Sequence, residues 1–106
     1  MPLQDEIVDL LRLPENGAGA PSLRAIESTL TDGYAEALAL EAERTRIERR
    51  LGEVVRDAGE VSVHSTAAEL AELSERLDTA DGELTRLRSL LQTLQARRRL
   101  ARGARS

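Results

Sequence analysis

A chain of 106 residues suits one domain, and 32% charged with 41% hydrophobic residues place it among helical folded proteins rather than disordered ones. Its one aromatic residue is Tyr34, and it lacks Phe, Trp and Cys, which excludes an aromatic-filled core, a disulfide framework and a thiolate metal site. The formal charge of −4 is uneven: from Arg97 onward there are five arginines and no acid, so a +5 end leaves −9 for the remainder.

The first element is a short amphipathic helix within residues 1–13. Leu3, Ile7, Leu10 and Leu11 recur at helical spacing, and Asp5, Glu6 and Asp9 occupy the other positions. Acids early in a helix favour it through its dipole. A helix this short is marginal in water by itself, so Ile7, Leu10 and Leu11 are candidate anchors for a protein surface, either the chain's own or a partner's. The acidic polar face argues against an anionic membrane as that surface. The stretch PENGAGAP, residues 14–21, combines Pro, Gly and Asn and reads as a flexible linker.

A hairpin is expected over residues 22–102. Ser22 is placed to cap a helix whose heptads begin at Leu23. The a positions are Leu23, Leu30, Ala37, Arg44 and Leu51, and the d positions are Ile26, Gly33, Leu40, Ile47 and Val54. Gly33 and Arg44 interrupt the apolar seam. Glycine weakens a helix by about 1 kcal/mol against alanine, whereas arginine can lay its stem along the seam and send its charge outward. A break follows at residues 58–65. Thr66 and Glu69 have the spacing of a capping box for the next helix. That helix carries Leu70, Leu77, Leu84, Leu91 and Arg98 at a, and Leu73, Ala80, Leu87, Leu94 and Ala101 at d. Each long helix should extend about 54 Å, and a break of about eight residues cannot carry the chain back that far. The two helices are therefore expected to run antiparallel, with the break as the hairpin tip and residues 103–106 as a basic disordered tail.

The fold class expected is thus all-α, a long antiparallel coiled-coil hairpin preceded by a short amphipathic helix. One stripe per helix is little core against the conformational entropy of ordering the chain. Tyr34, Leu38, Val55, Leu90 and Leu100 lie off the seam, and a second hairpin meeting them would give a homodimeric four-helix bundle. The partners expected are a second copy and one further protein, with no small-molecule substrate.

Catalytic chemistry has little foothold in such a chain, and neither a metal nor another cofactor is expected. His64, the sole histidine, lies in the tip near Glu60 and Ser62, and no second His or Cys supplies metal-ligand spacing. Gly17 and Gly19 are followed by no lysine, so they form no phosphate-binding loop. Arg97, Arg98, Arg99 and Arg102 are candidate phosphate contacts, but the acidic body and the lack of stacking aromatics place nucleic acid below protein as a partner. Cations at a helix C-terminus also complement its dipole. No run approaches the roughly 18 apolar residues of a membrane span, and no basic start precedes an apolar run, so a cytoplasmic protein is expected.

The tip segment Arg56-Asp57-Ala58-Gly59-Glu60-Val61-Ser62 resembles the tip of transcript-cleavage factors of the Gre type. The resemblance implies a hairpin that enters the secondary channel of RNA polymerase and presents acids to its catalytic magnesium. Glu60 would match the first tip acid and Ser62 the serine of that family. Val63 stands where the second acid would be. The leading functional expectation remains a non-catalytic scaffold or adaptor, with tip insertion into a large enzyme and nucleic-acid contact through the arginine-rich end as the alternatives.

Overall fold

The computed structural model describes residues 2–60 and 62–105, the last two by backbone alone. Met1, within the expected first helix, Val61, within the expected tip, and Ser106 lie outside the described residues. The chain is all-α, with α1 at Pro2–Leu11, α2 at Leu23–Arg56 and α3 at Val63–Arg105.

The local causes of these boundaries are visible. Pro2 opens α1, a position where its missing N–H costs nothing and its fixed φ suits the helix. Past Leu11 the chain tightens, with Leu13 N–H donating to the Leu10 carbonyl at 3.2 Å. Gly17 and Gly19 then adopt φ of 78° and 91°, the left-handed region that side-chain-bearing residues avoid. Ser22 accepts the Ala25 N–H at 3.1 Å and caps α2 as expected.

The start of α3 corrects the capping assignment. Ser62 is the cap: its Oγ accepts the Ser65 N–H at 3.1 Å and its carbonyl accepts the Thr66 N–H at 3.0 Å. Thr66 sits inside the helix with a buried side chain, and Glu69 pairs with Arg50 instead of reaching back to an amide. A true N-cap four residues earlier leaves the Thr66/Glu69 pair no free helix end to serve. The tip is correspondingly shorter than residues 58–65. At the other end α3 runs through Arg105, so the expected tail at 103–106 is helical as far as it is described.

The chain forms two compact units. One consists of the residues up to Ala37 together with those from Thr85, and the other runs from Leu38 to Leu84. In the first, Tyr34 pairs with Gln95 and Glu27 with Arg98 and Arg102, so α2 and α3 are antiparallel. The first unit also contains α1, whose Ile7 is fully buried. In the second, Glu43 pairs with Arg76 and Arg50 with Glu69, again the antiparallel sense.

The seam follows the heptads. At d, Ile26, Leu40, Ile47, Val54, Leu73, Ala80, Leu87 and Leu94 are all buried. Arg44, the charged a residue, stays exposed and bridges outward to Glu48 and Asp81, each at 3.0 Å. Gly33 is no fault in the packing. A Cβ there would collide with the Leu91 side chain, so the missing side chain is what lets Leu91 seat against the α2 backbone.

Candidate protein-interaction surfaces

In the first unit the side chains expected to anchor a partner are placed differently from one another. Ile7 is interior, and Leu10 and Leu11 are half-buried. The C-terminus of α1 leaves carbonyls without helical partners, and Arg97 serves them. Its guanidinium donates to the carbonyls of Leu11 at 2.7 Å, Leu13 at 2.8 Å and Pro14 at 3.2 Å. Arg97 is therefore engaged in holding α1. Arg98 Nε is buried and meets Glu27 Oε1 at 3.5 Å, a charge contact rather than a hydrogen bond, and Arg102 approaches the same oxygen at 3.7 Å. Arg99 is exposed. Gln95 donates a hydrogen bond to the Tyr34 hydroxyl, so this half-exposed ring is oriented, and Leu90 is half-buried.

The second unit has two unlike sides. At heptad position g, one side of the seam is bridged by ions. Arg50 donates to Glu69 at 2.7 Å, and Arg76 donates to Glu43 at 3.1 Å. Hydrogen bonds from Arg46 first and Arg76 second hold the Glu43 carboxyl below the usual glutamate range. Glu69, and after it Glu53, raise the Arg50 guanidinium further above its already high value. An open groove of about 420 Å³ lies on this side, lined by residues that include Glu43, Glu72, Glu75 and Thr79. Its hydroxyl is already committed, with Thr79 Oγ1 donating to the Glu75 carbonyl at 3.1 Å. The groove thus offers carboxylates without a nucleophile and base set against each other.

The opposite side, at position e, is built differently. Near the tip it presents Val55 on α2 and Ala67 and Ser74 on α3, all exposed, and farther from the tip its Glu48 and Asp81 pair with Arg44. Leu51, Leu70 and Leu77, at a, pack on the buried cluster of Ile47, Val54, Leu73 and Ala80 yet keep part of their surface open. Val63, also at a, is 83% exposed. Val55 stands out in the sequence as lying off the seam, whereas the rest of this group does not. The available signal was the flank: e positions near the tip hold small or apolar residues where g positions hold Glu and Arg.

The tip residues are not drawn into a site. Glu60 N–H donates to the Asp57 carbonyl at 3.0 Å in a turn, and the Ser62 hydroxyl is used as the cap. His64 is exposed in the first turn of α3. Among the described residues no group of three or more His, Asp or Glu is placed to hold a metal ion, and no helix is long and apolar enough to cross a membrane. Searches of protein-family models, curated proteins and solved structures found no match to this chain.

Proposed function

We propose that this chain is a non-catalytic scaffold or adaptor of the cytoplasm that works by self-association, as a homodimer, and by contact with another protein. The observation carrying this reading is the exposure of large apolar side chains that the hairpin does not need for its own seam. Leu38 is 66% exposed, Val55 62% and Tyr34 42%, in addition to Val63. Isolated apolar residues on a surface are ordinary, whereas apolar groups at helical spacing beside half-open seam leucines offer contact to another helix. The burial of Ile7 favours α1 acting in cis, as part of the first unit.

Light scattering coupled to size exclusion tests the reading on the full chain and on a form lacking residues 1–21. The full chain is expected to run as a dimer, and loss of α1 should weaken the first unit without removing the dimer. A full chain that stays monomeric at every concentration sinks the self-association reading.

Insertion of the tip into a large enzyme is the second reading, favoured by the exposure of Glu60 and His64. It requires that Glu60→Gln abolish an effect on that enzyme while helicity stays unchanged.

A further inference from the structure

We infer that the open side of the second unit is the dimer face, with a second copy packed against it antiparallel about a two-fold axis near Ala71. This rests on the self-association reading and names the surface for it. Val63, Leu70 and Leu77 recur at heptad spacing along α3, and Leu51 and Val55 stand beside them on α2. All are exposed or half-buried, and away from the tip this face ends at the ion cluster of Arg44, Glu48 and Asp81.

Complementary polar side chains select both the occupant and its direction. The border of this side on α3 is position b, where His64, Ala71 and Asp78 follow one another, each exposed. An antiparallel second copy centred on Ala71 sets His64 of one chain against Asp78 of the other, twice per dimer. On α2 the border is Gly52, over which the Arg56 guanidinium folds, with Nη1 3.5 Å from where a Gly52 side chain would begin. The same operation brings Arg56 to the Glu48 of the second copy, whose Oε1 already accepts from Arg44 of its own chain at 3.0 Å. Parallel packing would place like residues at like levels and lose both complementary pairs. A two-fold contact of this kind is self-complementary and closed.

The chain has no cysteine, so introduced thiols report directly. In the full-length His64→Cys/Asp78→Cys protein the two thiols lie fourteen positions apart on one helix, about 21 Å, too far for a bond within one chain. Mild oxidation is expected to give a covalent dimer from the double variant and little from either single variant. Ala71→Cys, on the axis, should cross-link alone. Circular dichroism checks that each variant keeps its helices. Light scattering on the same samples separates the failures. A dimer that does not cross-link at these positions overturns the inference and leaves self-association standing, and a monomer overturns both.

Discussion

The guanidinium of Arg97 donates to the Leu11 carbonyl at 2.7 Å, tying the end of the first helix to the last helix of the chain. With Leu13 and Pro14 it serves three carbonyls that α1 and its exit turn would otherwise leave to water. An amphipathic helix of ten residues has little stability of its own, so this contact and Ile7 hold it in place.

Replacing Arg97 with Met keeps most of the stem and removes the donors. Hydrogen bonds from a charged donor contribute about 1.5–3 kcal/mol each at most, which is enough to raise local opening of α1 by about tenfold or more. Hydrogen exchange should show the α1 amides losing protection while the amides of residues 38–56 keep theirs. Ile7→Ala, which empties a fully buried site, is expected to cost about 2–5 kcal/mol and to give the same local pattern.

Gly33→Ala sets two effects against each other. Helix propensity favours alanine by about 1 kcal/mol, while overpacking against Leu91 costs about 1–3 kcal/mol. The net expectation is a loss of stability, read from the urea midpoint. In a Leu91→Ala background the same change should turn neutral or favourable, because the atoms it collides with are gone.

Thr66 distinguishes the two assignments of the α3 cap. Its Oγ1 is buried and has no hydrogen-bond partner among the described residues. Thr66→Val replaces an unsatisfied hydroxyl by a methyl of similar shape and should raise the melting temperature, with a gain of about 1 kcal/mol. Ser62→Ala should lose about 1 kcal/mol. If Thr66 were the cap, the two results would be exchanged.

Glu43 should titrate below the ordinary glutamate range, by side-chain carboxyl NMR, because Arg46 and Arg76 donate to it. Its folded value is depressed relative to the unfolded one. Its contribution to stability is therefore fully present above the ordinary glutamate pKa and is lost as pH falls through the lower folded value. Arg46→Met should move the titration of Glu43 toward the ordinary range, and more than Arg76→Met does.

The seam was legible in the sequence because its signal is periodic. Every large aliphatic d residue from Ile26 to Leu94 is buried, and Arg44 sends its charge outward as its long stem allows. What was less legible depends on contacts between distant positions. Gly33 looks like a weakness until Leu91 is seen beside it, and Arg97 looks like a phosphate ligand until α1 is docked. Ser62 and Thr66 are both competent caps by residue type, and the choice between them rests on where the chain leaves the turn. The side at Leu51, Val63, Leu70 and Leu77 could not be told from the other by heptad position a alone, because the distinction lies in where the ion pairs fall. The g flank carries Arg50 with Glu69 and Arg76 with Glu43, and the e flank carries its own, from Arg44 to Glu48 and Asp81, only farther from the tip.

Sedimentation equilibrium of the unmodified chain beside Val63→Glu tests the central claim most directly, since an 83% exposed residue can take a charge without disturbing the fold. The account predicts a dimer for the unmodified chain and a dissociation constant raised by about tenfold or more for the variant, with equal helicity in both. Equal association of the two proteins, or a monomer in each, would contradict it.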